Sequence, residues 1–219
     1  MSITRTVAYR QKRGYENCQK RIYDGEGEYN IPVIEPVNYI PNLDGWIEYN
    51  KAATARRHDN KGCHFFIHDY LFSRVWEQPD HYLDLLRKFA CVCSPDFSPY
   101  SDFPKAVQVF NHYRKHWLGR YWQENGITVI PTITWSSPDT LEWAFDGEPV
   151  GGIVALSSVG MFDSDEHRDW LIDGYYQMMD ILQPKMIWWK GKVPEQIRQS
   201  NKNIMEIEQH TAKWRRKVV

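Results

Sequence analysis

Cysteine is scarce in this chain, with four residues in 219, Cys18, Cys63, Cys91 and Cys93. That is too few for the disulfide framework on which small secreted domains rely. The Cys91-Val92-Cys93 spacing puts two thiols on one face of a strand without defining a bridge, so reduced thiols are expected. No run approaches the ~18 consecutive apolar residues of a membrane span, and the opening Met-Ser-Ile-Thr-Arg-Thr lacks the apolar stretch of a signal peptide. These absences point to a cytosolic protein without membrane contact. Phosphate-cradling glycine patterns are missing too. Gly151-Gly152 precedes a strand-like run instead of following one, and Ser157-Ser158 lacks the flanking glycines of a nucleophile elbow. His112 and His116 stand at helical spacing, but Tyr113 occupies the place of the glutamate that a zinc-protease motif requires. They read as surface histidines, and no metal site is expected.

What is present is the composition of a globular protein, 42% hydrophobic and 25% charged, long enough to bury a full apolar core as one large domain. The net charge of -1 hides an uneven distribution. Residues 1–22 carry +5 and residues 213–219 carry +4, on a body of -10. Basic ends of this kind are solvated tails or arms that contact nucleic acid. The chain divides into a basic N-terminal extension (1–30), a single α/β domain (31–200), and a C-terminal helix end with a basic tail (201–219).

From Gly62 onward, short apolar runs alternate with amphipathic stretches in the rhythm of a mainly parallel sheet with flanking helices. Strands are predicted at 63–68, 89–93, 128–134, 152–156 and 186–189, and helices at 80–88, 104–125, 137–145, 165–182 and 194–210. Weaker strands fall at 31–37 and 46–49. Along the long helix, Val107, Phe110, Trp117, Leu118, Tyr121 and Trp122 are expected largely on the apolar side. Trp188 and Trp189 alternate on a buried strand. Pro131, lacking an N–H, marks an edge, a bulge or a place where the ladder opens. Seven strand-like runs and five convincing helices fall short of the eight pairs of a complete barrel. The expected architecture is therefore an irregular or partial β/α (TIM-like) barrel, with an open parallel sheet as the alternative.

Both architectures place sites at the carboxyl ends of the strands. That rule selects Asp69 and Tyr70, then Asp96, Ser98 and Asp102, then Trp135, then Ser157 and Ser158, and finally Lys190. Two carboxylates with separated pKa values can divide acid and nucleophile roles on a glycosidic bond. Asp69 or Asp96 would attack or activate water, Asp102 would be an acid, and Trp135 would stack on a sugar or base. Asp96 could equally cap its own turn. A cation on Asp69 and Asp96, with Lys190 neutralising phosphate, would instead suit phosphoester cleavage. Lys190 beside Trp189 could also be desolvated enough to act as an amine nucleophile.

The stretches Asn60-Lys61-Gly62-Cys63-His64-Phe65-Phe66-Ile67-His68-Asp69-Tyr70 and Ser94-Pro95-Asp96-Phe97-Ser98 resemble a family known as domain of unknown function 4417. So do Trp117-Leu118-Gly119-Arg120-Tyr121-Trp122-Gln123, the run Val129 to Ser136, and Gly191-Lys192-Val193-Pro194. The resemblance covers about residues 30–200 and implies a cytosolic protein in a phage or mobile-element setting. It implies no reaction and no cofactor. His68 departs from the acidic residue expected beside Asp69, which weakens an acidic metal-binding pair there. The expectation is a polar pocket that binds, and in the fuller reading hydrolyses, a nucleotide or sugar-like ligand. The alternative is a nucleic-acid or partner-protein binder acting through the basic termini.

Overall fold

A computed structural model describes residues 20–208. A small antiparallel pair, β1 (Gly25–Glu26) and β2 (Ile31–Pro32), is followed by eight strand segments that all run parallel. These are β3 (Gly45–Glu48), β4 (Lys61–His64), β5 (Cys91–Cys93), β6 (Val129–Ile130), β7 (Thr132–Ile133), β8 (Ile153–Ser157), β9 (Met186–Lys190) and β10 (Ile204–Glu206). The helices are α1 (Tyr49–Ala52), α2 (Arg74–Glu77), α3 (Leu83–Leu86), α4 (Lys105–Glu124), α5 (Asp165–Leu182) and α6 (Glu195–Ser200).

The strands pair in chain order as two four-stranded ladders, β3-β4-β5-β6 and β7-β8-β9-β10, which meet at Pro131. Pro131 is thus where the ladder opens, in the middle of the strand order and away from any edge. Side chains stitch the seam. Ser94 Oγ accepts from the Thr132 N–H at 2.8 Å, and Thr132 Oγ1 donates to the Ser94 carbonyl at 2.7 Å.

Alternation along the strands sorts the core into layers. Ile47, Cys63, Val92 and Val129 face outward beneath α4, while Val154, Leu156, Ile187 and Trp189 face outward beneath α5. Trp46, Cys91, Cys93, Ile130, Ile153, Ala155 and Trp188 share the opposite face. Trp46 and Trp188 lie five strand steps apart, roughly 24 Å in a flat sheet at ~4.8 Å per strand. Their ring centroids are 5.0 Å apart, so the sheet is strongly curled and this shared face is concave. Gly62 makes room for the curl, since a Cβ there would come within 2.4 Å of the Trp46 ring. No ladder joins β3 to β10 among the described residues, and the sheet is not a closed barrel.

α5 follows its sequence signals. Ser164 Oγ accepts from the His167 N–H at 3.0 Å, Asp165 and Glu166 occupy the first turn, and the helix ends at Gln183 in the left-handed region before Pro184. Elsewhere local pattern was overruled. The predicted helix over 194–210 stops at Ser200, and Ile204–Glu206 instead adds a parallel strand beside β9. The helix predicted over 80–88 is a 3-10 turn, Pro79–Tyr82, running into α3, and the one at 137–145 is a 3-10 helix, Pro138–Glu142. The strand expected over 31–37 is only Ile31–Pro32.

The long helix α4 shows the largest reversal of pattern. Val107 and Phe110, expected on the apolar side, are exposed, whereas Gln108, Asn111, His112, Lys115 and His116 are buried. Trp117, Leu118 and Trp122 are core residues, as their spacing suggests.

Candidate functional site

The carboxyl ends of the parallel strands do gather polar side chains. The loop after β5 brings Asp96 beside Thr134, whose hydroxyl donates to Asp96 Oδ1 at 2.7 Å. Asp96 lies at the wall of a pocket of about 150 Å³ that Ser98, Tyr100, Thr134, Trp135 and Ser157 also line. Burial pushes the Asp96 carboxyl up to about 6; the Thr134 hydrogen bond opposes this and the nearby Asp69 charge adds to it. Asp69 accepts from both the backbone N–H (3.1 Å) and the hydroxyl (3.0 Å) of Ser98, which fixes the loop after β5 against the loop after β4.

The other sequence-selected residues are dispersed. Ser157 lines the pocket, its hydroxyl accepting from the Val159 N–H at 3.2 Å. Ser158 points away; its hydroxyl donates to the Lys192 carbonyl at 2.7 Å and accepts from Trp189 Nε1 at 3.1 Å. Trp135 is buried under α5, its Nε1–H donating to the Trp170 carbonyl at 2.9 Å, so only part of the ring borders the pocket. Tyr70 is exposed and stacked on His68, and Asp102 is exposed on its loop; neither lines the pocket. Lys190 is buried on the concave face, close enough to Glu48 to interact electrostatically.

His112 and His116 are not surface histidines. Both are buried, and one ligand atom from each lies within 4.8 Å of the others and of a Glu148 carboxylate oxygen. The cause is the polar stripe of α4. Lys115 Nζ lies 2.7 Å from Glu148 Oε1 and donates to the Thr132 carbonyl at 2.9 Å, and His116 Nε2 lies 3.0 Å from the same Glu148 oxygen. His112 Nε2 lies 3.0 Å from the Asp146 carbonyl, and His116 Nδ1 lies 3.0 Å from that of Pro32. Burial works to raise the Glu148 carboxyl, but Lys115 and His116 outweigh it and hold it below the usual range. These three residues have the spacing of metal ligands, yet the Lys115 ammonium already supplies the positive charge that a cation would bring. Residues 108, 111, 112, 115 and 116 recur at helical spacing, and that polar period is the sequence signal that identifies this face.

Of the basic segments 1–22 and 213–219, all but residues 20–22 lie outside the described residues. From Lys20 the chain packs on α2 and α4, with Lys20 Nζ 4.2 Å from the Trp76 ring centroid and Tyr23 against Trp117.

Fold and topology together define an α/β protein with parallel strands and flanking helices. The chain belongs to the family described as Domain of unknown function (DUF4417), whose model matches residues 23–209. It is 34% identical over 197 residues to the Gene 1 protein of Mycobacterium phage L5, covering 89% of this chain and 84% of that one. To the Gene 1 protein of Mycobacterium phage D29 it is 33% identical over 196 residues, covering 89% and 71%. No solved structure matches it. No helix among the described residues is long and apolar enough to cross a membrane.

Proposed function

We propose that the curled sheet is an open, partial β/α barrel and that the pocket at its carboxyl-end mouth binds a single-ring polar ligand, a nucleoside or a sugar. The observation that carries this reading is the Asp96 carboxyl at the wall of the 150 Å³ pocket, with Ser98, Thr134 and Ser157 around it. An apolar cavity of about 150 Å³ holds a benzene ring, so the space matches one base or one sugar ring. A carboxyl with its pKa near 6 is protonated for part of the time at neutral pH, and so can donate to a ring oxygen or nitrogen or protonate a leaving oxygen. Asp69 positions this wall through Ser98. Turnover of a glycosidic or phosphoester bond belongs to the same proposal as its hydrolytic extension. Three free buried thiols fit a cytoplasmic setting.

The test is a thermal-shift titration of the full chain with nucleosides and monosaccharides, beside Asp96→Asn and Asp69→Asn. A ligand that binds the folded state raises the melting temperature. The expected result is a shift for wild type that falls in both variants, with product release followed by chromatography. Equal shifts in wild type and Asp96→Asn, or none with any compound, overturn the reading.

A further inference from the structure

Asp96, Thr134 and Ser157 line the strand-end pocket as neighbours. β7 and β8 pair as far as Ile133 with Leu156. Thr134 and Ser157, the next residue of each, therefore stand on adjacent strands about 4.8 Å apart. Asp96 joins them through the Thr134 hydroxyl, which donates to its Oδ1 at 2.7 Å.

That bond commits one carboxyl oxygen and leaves the other. Asp96 Oδ2 makes no hydrogen bond among the described residues and is not sealed in the core. It is a free acceptor on the pocket. The charges that act on Asp96, Asp69 and Lys115, are both engaged elsewhere, Asp69 by Ser98 and Lys115 by Glu148 and the Thr132 carbonyl. The Ser157 hydroxyl accepts from the Val159 N–H, and its own proton has no acceptor among the described residues. It is a free donor.

Much of the remaining lining is apolar: Pro99, Ile133, Val159, Met161, Leu171 and part of the Trp135 ring. A sugar carries a hydroxyl on most of its carbons, and against such walls most of them would be buried without a partner. A flat ring with apolar faces and one polar edge meets no such penalty, and about 150 Å³ admits one six-membered ring.

We infer that the ligand of this pocket is an aminopyrimidine base, cytosine being the common form, with its exocyclic amine donating to Asp96 Oδ2 and its ring acceptors facing Ser157. This deepens the proposed function and rests on it. An aspartate accepting from the cytosine amine is a pairing that their geometries favour. Uracil has a carbonyl at that position and would set one acceptor against another, leaving both unpaired. Asn at position 96 reverses the logic. Its amide oxygen keeps the Thr134 hydrogen bond, so its nitrogen, a donor only, faces the pocket.

The experiment is calorimetric titration of the full chain with cytidine, uridine and ribose at pH 8, above the Asp96 value of about 6. The proteins are wild type, Asp96→Asn and Ser157→Ala. Wild type binds cytidine about tenfold or more tightly than uridine, and ribose not measurably. In Asp96→Asn the preference inverts in favour of uridine. Ser157→Ala binds cytidine more weakly and keeps the preference. Uridine bound as well as cytidine by wild type, a cytidine preference that survives Asp96→Asn, or cytidine affinity unchanged in Ser157→Ala overturns the inference. The wild-type ratio is decisive even if a variant fails to fold. If ribose binds in an Asp96-dependent way with no preference between the bases, the pocket reading stands and this one falls. No binding by any probe, or binding of every probe indifferent to Asp96→Asn, sinks both.

Discussion

Replacing Asp96 by Asn should stabilise the protein at neutral pH and leave its stability unchanged near pH 4. In the folded chain the carboxyl titrates near 6, against 3.8 for an ordinary aspartate, because burial disfavours its charged form. Below 3.8 both folded and unfolded chains carry the proton and nothing differs. Between 3.8 and 6 the unfolded chain releases its proton while the folded one keeps it. The unfolded state is then favoured, and stability falls with rising pH until the folded carboxyl ionises too. About two pKa units at 1.36 kcal/mol each set an upper bound of about 3 kcal/mol, which water in the pocket reduces to roughly 1–3 kcal/mol. Asn does not titrate, and its amide oxygen still accepts from Thr134, so the variant avoids this loss while keeping the hydrogen bond. Urea denaturation of both proteins from pH 4 to pH 8 measures the difference, with all other titrating groups common to the two. The gap should open from near zero at pH 4 to its full size above pH 6.5, with a melting-temperature gain of ~2–4 °C per kcal/mol. A gap independent of pH, or a variant less stable than wild type at pH 7, would refute the reasoning.

Lys115→Met should cost about 3–5 kcal/mol, because it strands the buried Glu148 charge. The double variant with Glu148→Gln should recover much of that loss by chemical denaturation, and equal losses in single and double variants would show that the pair is not coupled. Gly174→Ala places a Cβ 2.2 Å from Trp135 Nε1. It should destabilise by roughly 1–3 kcal/mol despite the better helix propensity of Ala and change tryptophan emission; a gain in stability would mean that the ring is free to move. Cys63, Cys91 and Cys93 are buried, with thiols pushed up by burial. A thiol reagent should modify them only after unfolding, read site by site by mass spectrometry, and rapid labelling of any of the three in the native protein would contradict this burial.

The parallel sheet was legible because apolar runs of strand length alternate with long amphipathic helices, and that rhythm survives without knowledge of contacts. The mouth was half legible for the same reason. The rule of carboxyl ends selected Asp96, Ser98, Trp135 and Ser157, which line the pocket, but equally Asp69, Tyr70, Asp102, Ser158 and Lys190, which do not. Nor could apolar periodicity read α4, whose buried face holds Gln108, Asn111, Lys115 and two histidines satisfied by groups up to 84 positions away. Hydrophobic spacing detects burial only when what is buried is apolar. The final helix was overcalled because the propensity of residues 201–206 yielded to an open strand edge at β9.

The break at Pro131 gives the molecule two half-sheets sewn together by Ser94 and Thr132 in place of a continuous ladder. Asp96 and Ser98 follow the last positions of the first half, while Thr134, Ser157 and Lys190 belong to the second. Any molecule resting in the mouth consequently spans the joint, acting as a rivet through two plates. Its grip and the angle between the plates are a single mechanical variable, so tightening one stiffens the other.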